Sequence, residues 1–238
     1  MNITVPNRQE RWRADTLLTK EPGTIAWIKA EVKLDDVFYD IGSNIGLYAL
    51  YAAERIGPEG FVYAFEPHVV TAKSLFQNLA NNACGKQIQV ITSALHDTIG
   101  FFPFNYATLT AGSSSHQLGA PIDEFGRGFT PVAVELKHSI TVDCLIESKI
   151  IRPATLIKLD VDGNESAVLR GTDLLLTNGP LRSIQVEVHP KDKLYVLQFM
   201  TDHGFNLTGK HYTADGQKAI EAGWHPEKVA HNLVFHRV

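Results

Sequence analysis

The chain has 238 residues, 44% of them hydrophobic and 20% charged, with a net charge of −4. One domain of this length buries a substantial core without staples, and mild acidity without a basic run argues against a nucleic-acid partner. Cys84 and Cys144 have no metal spacing and read as reduced thiols of a cytoplasmic protein, while no stretch reaches membrane-spanning length and residues 1–10 lack an apolar signal core.

Residues 1–35 read as an N-terminal helical extension or lid, with scattered apolar positions (Trp12, Leu17, Trp27, Ile28) broken by Glu21-Pro22-Gly23. Thr24 is placed to cap a helix running to about Glu31. From residue 36 to 238 the pattern is that of a second unit. Val37–Ile41 predicts a strand, Ile45–Arg55 a helix, Phe61–Phe65 a strand and Val69–Asn82 a helix. Ile88–Leu95 predicts a third strand. Residues 105–131 carry no periodicity and read as an insertion, a length of loop that is usually functional. Strands are expected at Val132–Leu136, Ser139–Val142, Thr155–Leu159 and Ile184–Val188, and helices at Glu165–Leu176 and Lys193–His203. Phe205–Thr208 and Leu233–Arg237 finish as strands. Such alternation with buried strands means an α/β fold, a mostly parallel twisted sheet with helices on both faces. Ligands of such sheets lie beyond the carboxyl ends of the strands. Asp40, Glu66, Ala94, Asp160 and Glu187 all fall at or near those ends.

The first glycine turn, Asp40-Ile41-Gly42-Ser43-Asn44-Ile45-Gly46, is followed by a strand that ends in Phe65-Glu66-Pro67. Glycines let backbone approach a ligand, and an acid after the second strand holds two ribose hydroxyls. The G-x-G-x-x-G spacing of dinucleotide sites is missing, and Asp40 would repel a phosphate. A cofactor with a positive centre and an amino group fits better, and S-adenosylmethionine has both. Asp40, Gly42, Asn44 and Gly46 are expected around its methionine end, and Glu66 at its ribose. The Ser93–Ala94 backbone is expected at the adenine edge, with Asp97 either bonding the exocyclic amine or forming a turn.

Asp160 is the expected lining of the methyl path. Glu187 and His189 fall on one side of their strand, and imidazole titrates near neutral pH, so His189 is the candidate base. Asp160, Asp162 and Glu187, beside His189, also form an oxygen-rich set suited to magnesium. Base catalysis, with Asp162 and Glu165 capping a helix, explains the same groups without metal. Gly112-Ser113-Ser114-Ser115-His116 is an expected cofactor or acceptor contact, and Trp224 an expected wall of the acceptor pocket or ordinary packing.

These motifs together resemble the FkbM-type family of S-adenosylmethionine-dependent methyltransferases. The resemblance runs from about Arg13 to about Phe235. It is carried by Lys20-Glu21-Pro22, the Phe38–Gly46 turn, Ala64-Phe65-Glu66-Pro67, Ile157-Lys158-Leu159-Asp160-Val161-Asp162-Gly163-Asn164-Glu165 and Val168-Leu169-Arg170-Gly171. It implies a Rossmann-like methyltransferase sheet whose last strand is antiparallel. It also implies O-methylation, commonly of sugar hydroxyls in glycans, glycolipids or natural products. Ser43 stands where the family more often has alanine, and Val161-Asp162-Gly163-Asn164-Glu165 replaces Val-Glu-Gly-Ala-Glu. A non-sugar small-molecule acceptor and a non-catalytic adenosine-cofactor-binding module are the alternatives. A homodimer is compatible with the chain.

Overall fold

The computed structural model describes residues 1–238. In chain order the helices α1 (Arg8–Asp15), α2 (Leu17–Lys20) and α3 (Pro22–Glu31) precede β1 (Val37–Ile41), α4 (Leu47–Ala53), β2 (Phe61–Phe65), α5 (Val69–Ala80) and β3 (Ile88–Ile91). Next come β4 (Ala94–Leu95), β5 (Gly100–Tyr106), β6 (Gln117–Leu118), β7 (Ala133–Ile140), α6 (Val142–Glu147) and β8 (Leu156–Leu159). The chain ends with α7 (Glu165–Arg170), α8 (Asp173–Asn178), β9 (Ser183–Val188), α9 (Lys193–Asp202), β10 (Phe205–His211), α10 (Ala214–Glu221) and β11 (His231–Arg237).

The main sheet has seven strands in the order β10-β11-β9-β8-β1-β2-β3. β3, β2, β1, β8 and β9 are mutually parallel, and β11 runs antiparallel between β9 and β10. The central strands β1 and β8 are buried along their whole length, as a parallel sheet covered on both faces requires. Alternation divides β1 between two cores. Val37, Tyr39 and Ile41 pack with residues of α6–α9. Phe38 packs with α4, α5 and the Trp27 and Ile28 side chains of α3. The indole of Trp27 donates to Ser183 Oγ at 3.0 Å, which ties α3 to the edge of β9.

A second, four-stranded sheet, β4-β7-β5-β6, departs from the expected elements. The chain leaves the main sheet after Ile91, so Ile88–Leu95 is two strands in two sheets. Gly100–Tyr106 is a strand paired antiparallel with a single strand, Ala133–Ile140. The outward Phe101, Pro103, Val134 and Leu136 are exposed, and apolar residues on both sides conceal the period-2 signal. Val142 begins a helix, because Thr141 Oγ1 accepts the Cys144 amide as an N-cap. The helix expected over Glu165–Leu176 breaks at Gly171, where a Cβ would meet the His96 carbonyl oxygen at 2.3 Å. Thr24 does not cap α3, which starts at Pro22; its buried hydroxyl bonds Glu21 and Gln185. No helix is long and apolar enough to cross a membrane.

Candidate active site

A crevice of about 480 Å³ opens over the carboxyl ends of β1, β2, β8 and β9, a size suited to a small-molecule ligand. Its floor is the glycine turn. Gly42 has φ +80°, and a Cβ there would sit 1.7 Å from the Asp160 carbonyl oxygen. Only glycine therefore lets the tips of β1 and β8 close together. The amides of Gly42 and Ser43 donate to the Phe65 carbonyl at 3.0 and 2.9 Å. Asn44 takes a left-handed φ of +50°, which asparagine tolerates. Its side-chain amide donates to the Ser113 carbonyl at 3.0 Å.

Glu66 ends β2 and lines the crevice. Its Oε2 accepts the Asn44 amide and its Oε1 the His68 amide, both at 2.8 Å. Burial outweighs these bonds and pushes the Glu66 carboxyl up to about 7. Gly42, Asn44, Ser93 and Ala94 line the same space. Asp40 and Gly46 do not reach it. Asp40 is fully buried beneath the turn, with no hydrogen bond to either carboxylate oxygen. Burial pushes its carboxyl up to about 6, against the pull of Lys158, whose Nζ lies 3.8 Å away. Gly46, at φ +86°, precedes α4 and makes room for Leu75. Asp97 also stands outside the crevice: Arg170 Nε at 2.6 Å and His96 Nδ1 at 2.8 Å hold its carboxylate. The cause is the departure of β4 into the second sheet, which turns residue 97 toward α7.

At the opposite wall, Lys158 is buried in β8 between two acids. Its Nζ donates to Asp160 Oδ2 at 3.1 Å. Burial disfavours the Asp160 charge, but Lys158 and then Lys20 outweigh it and hold the carboxyl down at about 2. Asp162 has φ +54° and caps no helix. Its Oδ2 instead accepts the Ser115 amide at 2.8 Å, and its carbonyl accepts the Gln117 side chain at 2.7 Å. Glu165 turns back so that Oε1 accepts the amides of Val161 (2.8 Å) and Gly163 (3.2 Å). Burial pushes its carboxyl up to about 7. Glu165, not Asp162, joins Asp160 and Glu187: one carboxylate oxygen from each lies within 4.8 Å of the others.

Glu187 and His189 meet as the alternation of β9 requires, with Glu187 Oε2 and His189 Nε2 3.6 Å apart. Burial and the Asp160 charge raise the Glu187 carboxyl. Burial opposes a charged His189, but the Glu187 carboxylate outweighs it and raises the imidazole. The Phe125 ring stands edge-on to His189 at 5.6 Å.

Further lining comes from the N-terminal helices, from the Gly112–His116 run and from the start of α10. Arg13 and Lys20 reach the crevice from α1 and α2. Arg13 Nε donates to the Gly112 carbonyl, and Lys20 Nζ to Glu21 Oε1 at 2.6 Å. His68 and His116 stack with parallel rings 4.0 Å apart, and burial pushes the His116 imidazole down to about 3. Thr213 and Asp215, at the start of α10, complete the rim. Trp224 is 62% exposed and lines no part of the crevice.

This sheet, with a glycine turn on its first strand and an acid ending the second, is that of an S-adenosylmethionine-dependent methyltransferase. The methyltransferase FkbM domain matches residues 40–207, and the chain belongs to the FkbM methyltransferase family. Hexuronic acid methyltransferase AglP of Haloferax volcanii is 30% identical over 192 residues, which cover 80% of this chain and 72% of that protein. The 31-O-demethyl-FK506 methyltransferase FkbM of Streptomyces tacrolimicus is 27% identical over 203 residues and covers 76% of each chain. The crystal structure of methyltransferase FkbM from Methylobacillus flagellatus superposes with a TM-score of 0.55 at 14% identity. It covers 85% of this chain, which spans 44% of that one, and the likeness is one of fold.

Proposed function

We propose that the protein transfers the methyl group of S-adenosylmethionine to a hydroxyl of a sugar. The observation that carries this reading is the pairing of Glu66 with the Glu187–His189 pair across one crevice. Glu66 is fixed by two amides yet open to the cavity, so it serves the two ribose hydroxyls. Ser93 and Ala94 offer backbone to the adenine edge. Gly42 and Asn44 run beside the methionine end, with Asp40 as a buried negative charge behind them. Asp97 and Gly46 take structural roles.

His189 receives the acceptor proton, Glu187 stands beside it as a neighbouring carboxylate, and Asp160 lines the path of the methyl group. The hydroxyl oxygen attacks the methyl carbon in line with sulfur. The new C–O bond forms as the C–S bond breaks, its electron pair stays on sulfur, and the proton passes to His189 Nε2. S-adenosylhomocysteine and the methyl ether leave. The sulfonium is already activated, so the protein supplies orientation and a proton sink. The N-terminal helices act as a lid through Arg13 and Lys20. A sugar acceptor is favoured by the relative named for methylating a hexuronic acid. A non-sugar alcohol is the second reading, favoured by the relative named for 31-O-demethyl-FK506.

Calorimetry with S-adenosylhomocysteine and NAD, followed by labelled methyl transfer to nucleotide sugars, uronic acids, glycolipids and complex alcohols, tests this. Binding of the first ligand but not NAD, and label in a sugar, are expected. Affinity for NAD alone overturns the cofactor, and label only in non-sugar alcohols moves the acceptor to the second reading.

A further inference from the structure

We infer that Asp160, Glu165 and Glu187 form a divalent-cation site, for magnesium or manganese, that grips the acceptor through two neighbouring hydroxyls. The inference rests on the methyltransferase reading above and adds a metal and a substrate class to it.

The three carboxylates come from the end of β8, the first residue of α7 and the end of β9, so the fold alone gathers them. Their ligand oxygens lie within 4.8 Å of one another. A six-coordinate cation with metal–oxygen distances of about 2.1 Å places opposite oxygens about 4.2 Å apart, so the cluster seats one ion once its oxygens draw in by about 0.6 Å at most. Each acid on the α7 side is held in place from behind. Glu165 spends Oε1 on two backbone amides and keeps Oε2. Asp160 spends Oδ2 on Lys158 and keeps Oδ1. Carboxylates oriented by such outer bonds are the usual construction of a metal site.

His189 supplies a second, independent observation. It is only 4% exposed, and neither ring nitrogen has a hydrogen-bond partner. Its Nε2 points at Glu187 from 3.6 Å, too far for a hydrogen bond. Buried imidazole nitrogens are almost always paired, and a hydroxyl held on the cluster would pair this one. The charge balance agrees. Glu66, Glu124, Asp160, Asp162, Glu187 and Asp215 line the crevice against Arg13 and Lys20, with Lys158 behind Asp160 and shared with Asp40.

A magnesium-class ion keeps few protein carboxylates and fills its remaining positions with water or substrate oxygens. Two vicinal hydroxyls satisfy two of those positions. As a Lewis acid the ion lowers the pKa of the hydroxyl it binds. That hydroxyl then gives its proton to His189 as its oxygen takes the methyl group. The acceptor is therefore a polyol with adjacent hydroxyls, and single alcohols are poor acceptors.

Manganese binding, followed by the loss of its free-ion paramagnetic resonance signal, tests the site on the whole protein. One ion per chain is expected. Glu187→Gln and Glu165→Gln should each weaken it about 10–100-fold, with S-adenosylhomocysteine affinity within about twofold as the check on folding. Glu187 carries the test if loss of the Glu165 amide bonds unfolds α7. Manganese affinity unchanged in Glu187→Gln, or no manganese binding while S-adenosylhomocysteine still binds, overturns the cation site alone. Loss of both ligands in the unaltered protein overturns the cofactor reading and the site with it.

Discussion

The half of the crevice that we assign to the cofactor and the half that we assign to the acceptor are built by different means. The cofactor half is made of short contiguous runs: residues 40–46 form the turn, and Glu66 lies one parallel strand away. The acceptor half is assembled across long separations. Ser115 bonds Asp162 over 47 residues, β5 pairs with β7 from Gly100 to Ser139, and Phe125 stands on His189. The first half can therefore hold one ligand geometry while the second varies its acceptor, since loops on a fixed sheet vary more freely than the sheet.

That contrast also explains what the sequence made legible. Parallel strands announce themselves by unbroken apolar runs, and the turn by spacing, so Gly42, Asn44, Glu66, Asp160 and the Glu187–His189 pair could be placed on the crevice by register, while Asp40 and Gly46 fall behind it. The second sheet hides because Phe101 and Phe104 are both apolar although one faces solvent and the other the crevice. Asp97 falls outside the crevice for the same reason: nothing local shows that the chain changes sheets at Thr92–Ser93. Glu165 in a first helical turn looks like a dipole partner. Only the fold reveals that it bends back onto Val161 and Gly163. Arg13 and His68 carry no spacing signal at all, whereas His116 lies in the Gly112–His116 run expected at a ligand.

The largest expected effect separates glycines of the two halves. Gly42→Ala puts a Cβ at 1.7 Å from backbone, in a left-handed conformation. We expect a loss of stability on the order of 4 kcal/mol or more and no measurable S-adenosylhomocysteine binding. Gly126, also left-handed at φ +81° in the acceptor-side loop, has nothing within 4 Å. Gly126→Ala should cost only about 1–2 kcal/mol. Denaturant titration of both checks this, and equal losses would break the contrast.

A smaller effect separates chemistry from cofactor binding. His189→Gln should lower turnover about 10²–10⁴-fold while S-adenosylhomocysteine affinity stays within about twofold. Glu66→Ala should do the reverse, weakening S-adenosylhomocysteine about tenfold or more through lost bonds to a charged acceptor. Single-turnover rates and calorimetry on the two proteins sharpen the division. Unchanged turnover in His189→Gln would remove the imidazole from the mechanism.

The smallest effect is a pH dependence in which both halves take part. Glu66 and Glu165 each rise from an ordinary value of 4.5 to about 7 because they are buried. Between those values the folded chain binds more protons than the unfolded one, so stability falls as pH rises. Asp40 and Asp162, raised from 3.8 to about 6, act in the same direction over a lower range. Asp160 acts the other way, but its carboxyl is held below 3.8, so its contribution is lost only in stronger acid. His68, His116, His211 and His231, pushed below 6.5 by burial, also act the other way, but only below about pH 6.5. The ligand-free protein should therefore have a higher denaturation midpoint at pH 6.5 than at pH 8. Glu66→Gln and Glu165→Gln should each flatten part of that slope, one from each half of the crevice. If Glu66→Gln alone abolished it, the strain of buried charge would belong to the cofactor half, and the acceptor half would owe its acids to ligands rather than to the fold.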